Sequence, residues 1–293
     1  MRIYKEKRTR QSEILQLLLL DSLYSASGSE KVIFQGGTAL RWVYGGMRFS
    51  EDLDFVTVLP KRKIETILDR IDQKMAHACL VQFGPGQIEW QPKGGRENAF
   101  KVFCIYRPQA QRERIAVKME FEALQAGMMP EFKSNIFREL SSVAGLIAES
   151  RLMLIYSSSI IMTETPQEIL SDKIRALYER RYVKGRDIYD IWWLVTQLNT
   201  SPDWANTRKK LSMYAAPFVP VRDADYFQDK ASVTEILASL ETDLPRFLPG
   251  KILREYRKNN YQHFIQTVDQ VTARILDQGL RDYLKQCLKK NQL

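Results

Sequence analysis

Two carboxylates one residue apart, Asp52 and Asp54, open the run Asp52 to Leu59, which alternates as a strand does. On an extended chain residues two apart face the same side, so both acids project together while Leu53 and Phe55 turn to the core. Carboxylates aimed at one point repel unless a cation lies between them, and such hard oxygen donors suit Mg²⁺ or Mn²⁺ rather than Zn²⁺. A solvated strand end would carry the same pattern. Upstream, Phe34-Gln35-Gly36-Gly37-Thr38-Ala39-Leu40 reads as a strand, two glycines and a helix. That turn brings the backbone N–H groups of Gly36, Gly37 and Thr38 to a helix mouth, where phosphate oxygens are favoured, although an ordinary strand-to-helix turn has the same sequence. The stretch from Leu40 to Glu51 is long enough for one helix and a return, which puts turn and acids side by side. A third carboxylate comes from the strand that starts at Arg112, where Glu120 and Glu122 alternate with Met119 and Phe121. Glu120, central in the alternation, is the preferred third metal ligand; a solvent-facing charge is the competing reading for either glutamate.

Other chemistries find little support. His77 and His263 are the only histidines and sit far apart, which argues against a histidine-based triad, a zinc protease or a His-rich metal site. Cys79, Cys104 and Cys287 have no metal-type spacing and an odd count for disulfides, which favours a reducing compartment, the cytosol by default. Neither a Walker lysine motif nor a Gly-x-Gly-x-x-Gly fingerprint is present. Lys and Arg number 44 against 35 Asp and Glu, and the net charge of +9 attracts polyanions such as nucleic acid or nucleotides. Basic clusters at Arg2 to Arg10, Arg180 to Arg186, Arg208 to Lys210 and Lys251 to Lys258 could track an RNA backbone, or be solvated faces.

The elements that must position these residues follow from periodicity. Leu17 to Leu20 is too short for a signal or a membrane span and belongs to an amphipathic opening helix with Ile14, Leu15, Leu18 and Leu19 on its buried side. A strand at Lys31 to Gln35, a helix at Thr38 to Tyr44, a helix at Lys61 to Leu80 and strands at Phe100 to Arg107 and Arg112 to Ala123 follow. Gly84 to Arg96, rich in Gly and Pro, is most simply a loop, with room for a short strand at Gln87 to Gln91. After a last extended run, Ile155 to Glu164, the pattern turns helical: from Pro166 with Ile169, Leu170, Ile174 and Leu177, then Arg186 to Leu198, Val233 to Leu240 and Tyr261 to Leu276. The lobe boundary is placed near Thr165, giving a core lobe over residues 1–165 and an all-helical lobe over 166–293. In the helical lobe Lys173, Leu177 and Arg180 share a stripe, so a cation pair is expected to project toward the acidic strand. A solvated helix face competes with that view. Asp187 and Asp190, three apart, share the next face, and Trp192 and Trp193 are expected to pack internally or at the lobe contact.

Gly36-Gly37-Thr38 together with Ser50-Glu51-Asp52-Leu53-Asp54-Phe55 resembles the AbiEii toxin family of nucleotidyltransferases, related to the mycobacterial MenT toxins. Glu168-Ile169-Leu170-Ser171-Asp172-Lys173-Ile174-Arg175-Ala176-Leu177 is similar to that family's lysine motif, and Gly185-Arg186-Asp187-Ile188-Tyr189-Asp190-Ile191 to its closing motif. Four motifs thus occur in order over residues 33–194. The resemblance implies an α+β, bilobed chain with a polymerase-beta-like mixed-sheet N-terminal lobe and an all-helical C-terminal lobe. By the same resemblance Ser50 and Asp52 match the family's Ser-x-Asp pair, Asp54 its second acid, Lys173 its phosphate-contacting lysine and Asp187 its essential closing acid, with Asp190 open to that role.

The expected activity is Mg²⁺- or Mn²⁺-dependent transfer of a nucleotide from a nucleoside triphosphate to an acceptor, foremost a tRNA 3′ end, with a protein or small molecule as the alternative acceptor. A nucleotide- or RNA-binding protein without turnover is the reading from another class. The resemblance further implies a toxin, with phage defence as its setting and a separately encoded antitoxin as partner, and no membrane association. Ser50 would position the triphosphate or be modified itself.

Overall fold

The computed structural model describes residues 6–94, 98–154 and 159–290. By internal contacts the chain divides into two compact units, Lys5–Glu164 and Thr165–Leu293, each described by itself.

The first unit is built on one seven-stranded mixed sheet. Its elements are α1 (Glu6–Tyr24), β1 (Val32–Gln35), α2 (Gly36–Trp42), β2 (Asp52–Thr57), α3 (Lys61–Phe83), β3 (Gly86–Lys93), β4 (Ala99–Pro108), β5 (Ile115–Ala123), β6 (Phe132–Ile136), α4 (Ser141–Ala148) and β7 (Ile160–Glu164). The strand order is β3-β4-β5-β2-β1-β7-β6, which puts β2 at the centre. It runs antiparallel to β1, with Gln35 opposite Asp54, and parallel to β5, with Asp52 opposite Lys118 and Asp54 opposite Glu120. Leu53 and Phe55 face the other way into the core, where the Phe55 ring stacks on Phe121 at 5.0 Å and tilts against Phe34 at 5.5 Å.

Helices α1 and α3 cover that apolar side, α1 packing against β5 as well as α3. The opening helix departs from its expected amphipathic form: every residue from Ile14 to Tyr24 is buried, and the partly covered or exposed residues all lie before Ile14. A helix enclosed on all sides must satisfy its polar groups internally. Gln16 does so with Trp42 Nε1 and the Ser50 carbonyl, and Asp21 with Ser159 and with Lys74, whose Nζ lies 3.3 Å away. Burial pushes the Asp21 carboxyl up, against the opposing pull of those partners.

The segment expected as a loop with a short strand forms the long strand β3, paired antiparallel with β4 from Gly86 opposite Pro108 to Lys93 opposite Lys101. Its Pro92 is tolerated because β3 is an edge strand and one side of its ladder is open. Of the extended run expected at 155–164, residues 155–158 lie outside the described residues and the remainder forms β7.

The long elements of the second unit are helices: α5 (Pro166–Glu179), α6 (Gly185–Thr196), α7 (Trp204–Met213), α8 (Lys230–Phe247), α9 (Gly250–Lys258), α10 (Gln262–Ile275) and α11 (Arg281–Lys290). Thr165 caps α5, its hydroxyl accepting the Glu168 N–H, and Pro166 takes the first turn, where its missing N–H costs nothing. Ile169, Leu170, Ile174 and Leu177 are all buried, as their spacing requires. α5 packs on α6 and α7, and α6 on α8 and α10. Trp192 and Trp193 join Tyr189, Tyr256 and Phe264 in an aromatic cluster, with Trp192 edge-on to Phe264 at 5.1 Å. The mixed sheet and the helical C-terminal region make the chain α+β, as expected.

Candidate active site

Strand β2 puts Asp52 and Asp54 on one face, both partly exposed, opposite the buried Leu53 and Phe55. The in-register parallel pairing with β5 brings Lys118 and Glu120 to the same face, because directly paired residues share a side of the sheet. Lys118 Nζ lies 2.9 Å from Asp52 Oδ2 and 3.2 Å from Glu120 Oε2. Lys101, opposite Glu120 on β4, forms an ion pair with its other oxygen. A chain of alternating charge, Lys101–Glu120–Lys118–Asp52, therefore crosses three strands. Burial alone would raise the Glu120 pKa, but the Lys101 and Lys118 ammoniums outweigh it and hold the carboxyl below its usual range. Burial works against the Lys118 charge too, and Asp52, Glu120 and Asp54 overcome it and raise the pKa.

The glycine turn lies against the second acid. Gly36 has φ +77°, in the left-handed region, and a Cβ there would come within 3.1 Å of Asp54 Oδ2. A Cβ on Gly37 would overlap the Arg48 guanidinium, which is buried and donates to the Phe49 carbonyl at 3.0 Å. The Thr38 hydroxyl donates to the Asp52 carbonyl and so ties the start of α2 to β2. Ser50, nearly buried, precedes the strand; its carbonyl accepts from Gln16 Nε2 at 2.6 Å, and Gln16 Oε1 accepts from Trp42 Nε1 at 3.1 Å.

In the helical unit Lys173 sits between both aspartates of the closing motif. Its Nζ is 2.9 Å from Asp187 Oδ1 and 2.7 Å from Asp190 Oδ2, while Arg180 reaches Asp187 Oδ2 at 2.8 Å. All three of Lys173, Asp187 and Asp190 are buried. Burial would raise the Asp187 pKa; Arg180, Lys173 and Arg186 reverse this and hold the carboxyl far below the ordinary carboxylate range. Lys173 and Arg180, expected as a cation pair projecting toward the acidic strand, both lie on one carboxylate of their own unit. A second buried network joins α5 to α7. Lys210 Nζ, with no exposed surface, lies 3.1 Å from Glu168 Oε2 and 3.1 Å from Asp172 Oδ2, and Tyr214 donates to Asp172 at 2.6 Å.

The first unit therefore assembles Gly36, Gly37, Thr38, Ser50, Asp52 and Asp54 around the start of β2, and the second assembles Lys173, Asp187 and Asp190. The three-carboxylate metal site expected of Asp52, Asp54 and Glu120 is not gathered: among the described residues no three His, Cys, Asp or Glu side chains are grouped to hold a metal. Asp52 and Asp54 alone still fit Mg²⁺, offering hard oxygens from one face beside a glycine that sets no Cβ against Asp54 Oδ2. Sequence reasoning passed over Lys118, although the parity that placed Glu120 on the acidic face places Lys118 there too. Gln16 and Lys210 were not legible either, since each gains its role from a partner distant in sequence.

A mixed sheet with an Asp-x-Asp on its central strand and a glycine turn beside it, followed in sequence by a helical unit, is the arrangement expected of a nucleotidyltransferase. The model of the AbiEii nucleotidyl transferase toxins of type IV toxin-antitoxin systems matches residues 18–286, and the chain belongs to that family. Its fold is similar to that of JHP933 from Helicobacter pylori, with TM-score 0.55 and 15% identity over 97% of this chain and 99% of that one. It is also similar to a candidate nucleotidyltransferase from H. pylori, with TM-score 0.52 and 15% identity over 96% and 98% of the two chains. No curated protein matches the chain. Among the described residues no helix is long and apolar enough to cross a membrane.

Proposed function

We propose that the protein transfers a nucleotide from a nucleoside triphosphate to an acceptor hydroxyl, foremost that of a tRNA 3′ end, and does so as the toxin of a pair whose antitoxin is separately encoded. The observation that carries this reading is the pair Asp52 and Asp54 on one face of the central strand against Gly36, in a chain of the AbiEii family. Asp52 and Asp54 would hold Mg²⁺ or Mn²⁺, which when bound lowers the acceptor's pKa and stabilises charge on the transferring phosphate. The start of β2 is fixed from three sides, by Thr38 on the Asp52 carbonyl, Gln16 on the Ser50 carbonyl and the β1 and β5 ladders, so the acids are held in place before substrate arrives. Backbone N–H groups of Gly36, Gly37 and Thr38 would receive phosphate oxygens, with Ser50 orienting the triphosphate. Lys173 and Asp187 enter through their motifs: Lys173 would neutralise phosphate charge, and Asp187 and Asp190 hold its ammonium. The net charge of +9 favours a polyanionic acceptor.

The test incubates the protein with each labelled triphosphate, Mg²⁺ and total tRNA, for wild type, Asp52→Ala and Lys173→Ala. Label should move to tRNA with wild type only. Full transfer by Asp52→Ala, or none by wild type under any condition, refutes the mechanism; label on a protein or small molecule reassigns the acceptor.

A further inference from the structure

The three carboxylates Asp52, Asp54 and Glu120 share the acidic face with two ammoniums, and one of these, Lys118, bridges Asp52 and Glu120 across the central parallel pair. Lys118 is three-quarters or more covered, with 21% of its side chain exposed, and Asp52 keeps 28%. Placing a lysine there is costly unless the charge is used, because the ammonium and the carboxylates are all partly withdrawn from water. It also cancels charge at the one place where a divalent ion would be held. An ion coordinated by Asp52 would sit beside an ammonium already 2.9 Å from the same carboxylate and be repelled by it. A triphosphate changes that balance, since its anionic oxygens give both cations a partner.

We propose that Lys118 is a tethered counter-cation of Asp52 that opposes metal binding by the protein alone and so makes entry of the divalent ion depend on the nucleotide. It is a positioning residue: it acts through Asp52 and Glu120 rather than on the transferred group. Lys101 provides the internal comparison, because it is an equal charge on the same face but pairs with Glu120 and not with Asp52. The inference rests on the assignment of Asp52 and Asp54 as metal ligands.

The test counts free Mn²⁺ by electron paramagnetic resonance during titration of the full chain, without nucleotide and with a non-hydrolysable nucleoside triphosphate, the latter read as the further loss of free Mn²⁺ beyond that caused by the same nucleotide without protein. Wild type, Lys118→Arg and Lys101→Met should bind Mn²⁺ weakly without nucleotide, while Lys118→Met binds at least about tenfold more tightly; adding nucleotide should narrow that gap to about threefold or less. If Lys118→Met binds no more tightly than wild type, or Lys101→Met gains as much, the counter-cation role is overturned while the metal assignment stands, provided wild type binds Mn²⁺ with nucleotide. If neither wild type nor Lys118→Met binds Mn²⁺ with nucleotide present, the metal assignment itself falls and takes this inference with it.

Discussion

Replacing Asp187 by asparagine keeps the shape of the side chain and removes its charge from a network of two cations and two acids. Asp187 is 2% exposed and accepts from Lys173 at 2.9 Å and Arg180 at 2.8 Å. Removing one partner of a buried pair costs about 3–5 kcal/mol when the other is stranded. Here the stranding is incomplete: Lys173 keeps Asp190 at 2.7 Å, and Arg180, 41% exposed, can be hydrated. The expected cost of Asp187→Asn is therefore about 2–3 kcal/mol, or a fall in Tm of roughly 4–12 °C for a chain of this size. Urea unfolding followed by circular dichroism at neutral pH should show a lower midpoint with an unchanged slope. The pH dependence gives an independent reading. The carboxyl titrates lower in the folded chain than in the unfolded one, so its contribution is fully present above the unfolded value of about 3.9 and is lost as pH falls through the lower folded value. The stability gap between wild type and Asp187→Asn should be constant from pH 8 to about 5 and shrink below about 4. A gap under about 0.5 kcal/mol at pH 7, or one that widens on acidification, refutes this account of the network. The result also governs how Lys173→Ala is interpreted: lost transfer by a variant with wild-type stability assigns Lys173 to the phosphates, whereas lost transfer that tracks lost stability assigns it to the helical core.

Two further variants probe the acidic strand's neighbour and the second buried network. Gly36→Ala forces a left-handed residue at a cost of about 1–2 kcal/mol and sets a methyl group 3.1 Å from Asp54 Oδ2, so label transfer should fall about tenfold or more in a protein that still folds; unaltered transfer would separate this turn from catalysis. Lys210→Met leaves Glu168 and Asp172 without their shared ammonium and should destabilise by about 3–5 kcal/mol in thermal melts, and a melting temperature equal to wild type would refute a structural role for that lysine.

The acidic face was legible because strand alternation is local: Leu53 and Phe55 being apolar is enough to orient Asp52 and Asp54 together. The helix beginning at Pro166 was equally clear, its cap, proline and apolar spacing agreeing with one another. What could not be read were contacts made by pairing. Glu120 lies on the expected face and register, yet its carboxylate is engaged by Lys101 and Lys118, and Lys101 arrives from a strand whose alignment no sequence pattern specifies. The destination of Lys173 was missed for a similar reason. Helical spacing places it on a stripe with Arg180, but which neighbour that stripe meets depends on the packing of α5 against α6. The full length of β3, of which only Gln87 to Gln91 was expected, was hidden by its own Gly and Pro content, which an edge tolerates and a central strand does not.

Strand β2 is hydrogen-bonded along both edges at the middle of a seven-stranded sheet, with all six other strands of that sheet closer to an edge than it is and its inner side sealed by aromatic rings. Its amides should exchange with solvent deuterium only through opening of the whole first unit, later than those of β3 and β6 at the margins. The two acids are thus mounted on the part of the unit that is last to loosen, and partial unfolding strips away the periphery before it disperses the chemistry.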